Sequence, residues 1–364
     1  MNKQQHPTAV PKSAPLVEVR RGAIVESRHR GHIAAVDGSG ALVAHLGAPE
    51  TVTYLRSSAK PHQAMPLITS GAADRFGFTA QEIAIACGSH SGEPIHTEAV
   101  AAMLRKIGLD ESALKCGTHE PFNREVARAM RERGELPNIL QNNCSGKHTG
   151  MLALALHLGA SVETYDQPNN PVQLAIARTV SQFSDVPEEE IAIGVDGCGV
   201  PVFGVAVRAM ALMYARLVSS LTTELAADAR AACEQIVSAM TTYPKMVGGT
   251  TERFDTELMR ATRGDVVSKV GAEGVYTAGI RPCEKWPRGL GLAFKVEDGE
   301  DRRARPTVAI ESLRQLGVLD AEALQALAPY AKFPVRNHRG DTVGEICPSF
   351  TLWSRNANSI AFDV

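Results

Sequence analysis

The chain has 364 residues and a mass of 38.9 kDa, a length that suits about two domains or one large enzyme. Hydrophobic residues at 44% exclude a disordered chain, and 38 basic against 40 acidic side chains exclude a protein built to coat nucleic acid or an anionic membrane. Seven scattered cysteines exclude a dense secreted disulfide scaffold; they read as reduced thiols, mostly small core residues, with metal binding open to a few.

Residues 1–15 are polar and contain proline, without the apolar stretch of a signal peptide, and read as a disordered tail. The longest apolar candidate for a membrane span, Val195 to Val218, is broken by Asp196, by glycines and by Arg208. A cytoplasmic protein is expected. From Leu16 the pattern is strand-like: Leu16–Val19, Ala23–Glu26 and Ile33–Val36, then Asp37-Gly38-Ser39-Gly40 as a turn and Ala41–Ala44 as the return strand. The period turns helical from Arg56 to about Arg263, most clearly near Pro61–Ser70, Glu98–Ile107, Glu125–Gly134, Val172–Phe183 and Thr222–Thr242. Strands return at Val266–Val270, Gly274–Ile280 and Leu290–Val296. A helix from Pro306 to Leu316 and a strand at Thr342–Ile346 follow. The pattern predicts an α+β fold, one catalytic unit over 16–364, with its sheet from 16–55 and 265–364 around a helical part at 56–264.

Several segments carry residues suited to chemistry. In Arg56-Ser57-Ser58-Ala59-Lys60, a helical turn puts Ser57 and Lys60 on one face, and a neutral amine there can take the hydroxyl proton. The alternative for this pair is a solvated helix start. Ser112-Ala113-Leu114-Lys115 has the same spacing but reads as a capped surface helix. Cys87-Gly88-Ser89-His90 follows a buried apolar run and forms either a ligand-facing loop or a plain Ser/Gly turn. Lys269-Val270-Gly271 lies in a strand, where Lys269 can project from the sheet edge and Gly271 permits close approach. Ser-x-x-Lys, a serine loop and a late Lys-x-Gly come in the order used by penicillin-recognising serine enzymes, which points to acyl transfer.

Asn143-Cys144-Ser145-Gly146-Lys147-His148 is not a phosphate-binding loop, because position 141 is Gln and Lys147 is followed by His. Cys144 and Lys147, three apart, could share a ligand with Cys198 of Asp196-Gly197-Cys198-Gly199; core cysteines are the alternative. Gly248-Gly249-Thr250-Thr251 resembles the nucleophile segment of the common bacterial asparaginases but follows a long helix, and reads as a turn or substrate loop.

Taken together, these segments resemble the rhizobial-type L-asparaginases, and they occur in the family's order across nearly the whole chain after Pro15. The resemblance implies a serine β-lactamase-like fold, a homodimer, and hydrolysis of L-asparagine to aspartate and ammonia. It implies two Ser-Lys tandems, Ser57 with Lys60 and Ser89 with Lys269. It also implies a zinc site at Cys144, Lys147 and Cys198, with Arg56, His148, Asp196 and Gly271 toward the substrate or around the metal. No nucleic-acid or membrane partner is expected. Rival readings are another serine amidase or β-lactamase-like acyl hydrolase, and a non-catalytic sensor binding a small amide.

Overall fold

The computed structural model describes residues 12–219 and 225–354. Its strands are β1 (Ala14–Arg21), β2 (Ile24–Asp37), β3 (Leu42–Leu46), β4 (Val52–Tyr54), β5 (Ala192–Val195), β6 (Pro201–Ala206), β7 (Val266–Val270), β8 (Val275–Ile280), β9 (Leu290–Val296), β10 (Phe333–Arg336), β11 (Thr342–Pro348) and β12 (Trp353–Ser354). An antiparallel sheet runs β10-β11-β1-β2-β9-β8-β7, with β3 also on β2 and β12 on β3. It is assembled from both ends of the chain around a largely helical middle, the α+β layout expected from the sequence.

Strand periodicity explains why this sheet is buried on both faces. Ala34, Val36, Val267 and Ala293 point into one apolar core, while their neighbours Ile33, Ala35, Val266 and Leu292 point into another. The first core lies between the sheet and the helical middle. There the helix Val207–Val218 packs on β2 and β9 so closely that a Cβ on Gly291 would sit 1.8 Å from the Ala211 carbonyl oxygen. The helices Arg305–Gln315 and Ala321–Ala331 cover the other face through Val308, Leu313 and Leu327. The result is a three-layer arrangement, and β7 is left as the sheet edge facing the helical part.

Four expectations need correction. Ala14 and Pro15, placed in the tail, begin β1, paired with Gly31 and Arg30; proline is tolerated at a strand start. Residues 24–37 form one strand instead of two, because the polar stretch Ser27–Arg30 pairs with β1 while the following apolar stretch pairs with β9 and β3. The middle of the chain is not wholly helical: β4, β6 and β5 make a small antiparallel sheet, whose short strands sequence periodicity does not separate from the helix that follows. The helix expected from Thr222 runs over Ala227–Thr242, and its expected first residues lie outside the described ones. Among the described residues no helix is long and apolar enough to cross a membrane.

Candidate active site

Arg56–Ala59 form a 3-10 turn that leads directly into the α-helix Lys60–Thr69. Arg56 opens the turn at a φ of 51°, a left-handed conformation that costs a non-glycine residue on the order of 1–3 kcal/mol. Ser58 is buried and donates to the Leu55 carbonyl at 2.7 Å, a structural role. Ser57 is half-buried on a cleft wall. Lys60 is 0% exposed, and its Nζ donates to the Gly88 carbonyl at 2.6 Å and the Asn143 carbonyl at 3.0 Å, with Ser89 Oγ also at 3.0 Å. The expected Ser57–Lys60 pair is therefore not joined by a hydrogen bond. A buried amine needs polar partners, and the Lys60 side chain reaches past Ser57 to the two carbonyls.

Ser89 sits in the loop after the helix Ala80–Ala86, held by its own N–H on the Val247 carbonyl at 2.8 Å. Gly88 lets this loop lie against the next segment, since a Cβ there would meet the Met246 carbonyl at 2.7 Å. Lys269 comes from β7, 0% exposed, and donates to Ser89 Oγ at 3.0 Å and to the Val270 carbonyl at 2.8 Å. The expected Ser89–Lys269 pair is thus present, and Ser89 touches both amines. Burial lowers the pKa of both lysines. For Lys269 it falls to about 7, with Lys60, Arg253 and Arg305 adding to the drop and Asp255 opposing it. Gly271 brings β7 beside the serine turn: a Cβ on it would lie 2.8 Å from the Leu55 carbonyl.

These groups meet at a cleft of about 460 Å³ lined by Ser57, Ser89, Asn143, Gly271, Arg253 and Tyr330, among others. Two of its residues escaped sequence reasoning. Arg253 donates to the Ser89 carbonyl at 2.6 Å and to Ser91 Oγ at 3.1 Å, with its guanidinium 5.6 Å from the Phe122 ring centre. Asp255, 1% exposed, lies 3.6 Å from Lys269 Nζ. The only available signal was their position just after Gly248–Thr251. That loop packs on the serine loop, Ser91 Oγ donating to the Gly248 carbonyl at 3.0 Å, and Thr250 bonds Glu93 through N–H at 3.0 Å and hydroxyl at 2.6 Å.

A second cluster adjoins Lys60. Cys144 caps the helix Ser145–Leu158, so Lys147 stands one turn on, and its Nζ lies 3.0 Å from Cys198 Sγ. The two thiols are in hydrogen-bonding contact: Cys144, receiving from Cys198, is held well below the ordinary thiol range, and Cys198 is raised. Burial works against the charge on Lys147, but Cys198, Cys144 and Asp196 outweigh it and raise its pKa. Asp196 holds Arg56 Nε at 2.9 Å and the Gly197 N–H at 2.8 Å. His148 does not line the cleft. It is 0% exposed, bonded through Nδ1 to Tyr165 at 2.7 Å, and its buried Nε2, beside Cys198, has no hydrogen-bond partner. Among the described residues no three His, Cys, Asp or Glu side chains lie together as a metal shell, so a metal here would need the Lys147 amine as its third ligand.

No curated protein matches the chain. Solved structures similar to it include a probable glutaminase from Bacillus subtilis complexed with 6-diazo-5-oxo-L-norleucine, at 13% identity over 79% of this chain and 85% of that one, TM-score 0.36. A Bacillus glutaminase in 4.3 M NaCl gives 13% identity over 79% and 91%, TM-score 0.37. The protein Mglu gives 16% over 81% and 69%, TM-score 0.35. Likeness at this level carries no weight for function. The family comparison is of another order: residues 17–348 match the family model described as L-asparaginase II, and the chain belongs to that family of amidohydrolases.

Proposed function

We propose that the protein is an L-asparaginase that hydrolyses the side-chain amide of L-asparagine through an aspartyl ester on Ser57. The observation that carries this reading is the placing of Ser89 Oγ, 3.0 Å from Lys60 Nζ and 3.0 Å from Lys269 Nζ, in the same cleft as Ser57. Two carbonyls occupy two positions around Lys60 Nζ, which leaves the remaining one on the hydroxyl side. A free amine satisfied in this way has its lone pair available as a base.

In the reaction, the Ser57 proton passes to the Ser89 oxygen while Ser89 gives its own proton to Lys60, as the Ser57 oxygen bonds to the amide carbon. The tetrahedral adduct collapses when a proton passes from Lys60 through Ser89 to the amide nitrogen, and ammonia leaves. Water then attacks the ester, giving its proton to Lys60, and the departing Ser57 oxygen takes that proton back through Ser89, which releases aspartate and restores the free amine. Lys269, as an ammonium, stabilises negative charge at Ser89 during the transfers. Arg56, fixed by Asp196, and Gly271, beside the serine turn, orient the substrate.

Cys144, Cys198 and Lys147 suit a zinc ion: two buried sulfurs and an amine are soft and borderline donors, and the unpartnered His148 Nε2 stands ready to hydrogen-bond a metal-bound thiolate. Zinc, when bound, would supply a fixed positive charge that anchors substrate and shapes the pocket. The proton transfers above use only the side chains of the chain.

The test is ammonia release from L-asparagine and L-glutamine by the purified protein, with and without added zinc. Release from asparagine, with glutamine much slower, is the expected result. No release from either amide under any metal condition would overturn the reading.

A further inference from the structure

The two buried lysines that share Ser89 have different neighbours. Lys60 lies between two carbonyl oxygens and the Cys144 sulfur, whereas Lys269 has a carboxylate beside it, Asp255 Oδ2 at 3.6 Å. Asp255 belongs to the helix Phe254–Ala261 and is itself fixed from three sides. The Val270 N–H donates to its two oxygens at 3.0 and 3.1 Å, and Ser268 Oγ donates at 2.8 Å. Ser268 Oγ in turn lies 2.9 Å from the Tyr276 hydroxyl. A carboxylate 1% exposed, held by donors on both sides of Lys269 in the same strand, has no freedom to leave the amine.

We infer that Asp255 is a positioning residue that holds the Lys269 amine against Ser89 and favours its protonated form there. This deepens the proposed asparaginase reading and rests on it for its catalytic meaning, but the charge assignment is testable without turnover. The groups that face Lys269 are Lys60 from the first long helix, Cys87 from the serine loop, Arg253 and Asp255 from the segment before β7, and Arg305 from the helix behind the cleft. Arg253 and Arg305 are cations, and Lys60 is one whenever it holds a proton. Asp255 is the one carboxylate among them, so its removal leaves Lys269 facing like charges only. An opposite charge at this range moves a pKa by about 1–3 units.

The experiment follows the Lys269 amine by heteronuclear NMR across pH, with its resonance assigned through Lys269→Arg, in the wild-type chain and in Asp255→Asn. The expected result is a downward displacement of its titration by about one unit or more in the variant. Where hydrolysis is measurable, the basic limb of kcat/KM should move by the same amount. An unmoved Lys269 titration in a folded Asp255→Asn chain would overturn the inference. A displaced titration in a protein that hydrolyses neither amide would uphold it while removing the asparaginase reading.

Should Asp255→Asn fail to fold, thermal unfolding at pH 6 gives an independent reading. Lys269→Met alone should lower Tm by leaving the carboxylate unpaired, and adding Asp255→Asn should recover part of that loss. A double variant less stable than Lys269→Met would overturn the inference.

Discussion

Arg56 and Asp196 close a loop of 140 residues at the start of the serine turn, with Nε donating to Oδ1 at 2.9 Å. The contact holds a residue in left-handed conformation on one side and the Gly197-Cys198 turn on the other. It links the serine turn to the sulfur cluster, so one substitution should disturb both. Asp196→Asn is expected to lower kcat/KM by about tenfold or more, while costing no more than about 1 kcal/mol of stability because both side chains are partly solvated. Steady-state kinetics beside urea unfolding would measure the two effects. A loss of activity explained wholly by lost stability would remove the pair from substrate positioning.

The serines should separate by what accumulates. Ser57→Ala is expected to form no acyl-enzyme, with kcat reduced by about a thousandfold or more. Ser89→Ala should still acylate, slowed by about 100- to 10,000-fold through loss of the proton path. Intact-mass analysis of acid-quenched enzyme distinguishes them. An ester on Ser89 in the Ser57→Ala chain would reverse the assignment.

Lys269 also makes stability depend on pH, with a definite sign. Its pKa falls from 10.5 to about 7 on folding, so between these values the unfolded chain binds the proton that the folded chain has released. Stability from this group therefore rises as pH goes from about 7 toward 10. Below pH 7 both states carry the proton and the burial cost is felt in full. Urea midpoints taken from pH 6.5 to 10 should climb more steeply in the wild-type chain than in Lys269→Met. Equal slopes would contradict the burial argument.

Tyr165 bears at a distance on the proposed zinc site. Its oxygen accepts the Lys115 N–H at 2.9 Å, so its own proton is free for His148 Nδ1 at 2.7 Å. Burial keeps His148 neutral, with its pKa lowered to about 4, and the remaining ring proton then sits on Nε2, beside Cys198. Tyr165→Phe should weaken zinc binding by about 10- to 100-fold. Competition with a chromogenic chelator reads this directly, with circular dichroism confirming an intact fold. Unchanged affinity would show that His148 does not steady the thiolate.

Much of this was legible from residue patterns. Strands at the two ends of the chain are short apolar runs bounded by turn residues, and β9 falls at Leu290–Val296 as the pattern predicts. Short β6 was hidden because its apolar residues run without a break into the helix Val207–Val218, and β5 because four residues before the Asp196–Gly199 turn are too few to show a period. At the site, the segments singled out in the sequence bring Ser57, Lys60, Ser89 and Lys269 to one place, with Lys60 hydrogen-bonded to Ser89 and not to Ser57. A lysine side chain is long enough to choose among partners that only the fold brings near, here Gly88 and Asn143. Asp255 was invisible for the same reason: nothing in a lone aspartate within Arg-Phe-Asp-Thr-Glu shows that Val270 and Ser268 will fold over it.

The sheet's construction from distant parts of the chain bears on how the enzyme is made. Val17 on β1 waits for Pro348 on β11, and Gly31 on β2 for Val296 on β9. At ordinary translation speeds the first pairing is delayed by on the order of half a minute after Val17 is synthesised. Over that interval the ribbon of β1, β2 and β3 has an unpaired apolar edge, the kind of surface that seeks other strands. Ser57 and Ser89 are made early, but Lys269 reaches them only with the strands that complete the sheet. Nascent or truncated chains would therefore be sticky before they could be active, and yield in the cell should depend on chaperones that shield the early ribbon more than on the strength of the finished core.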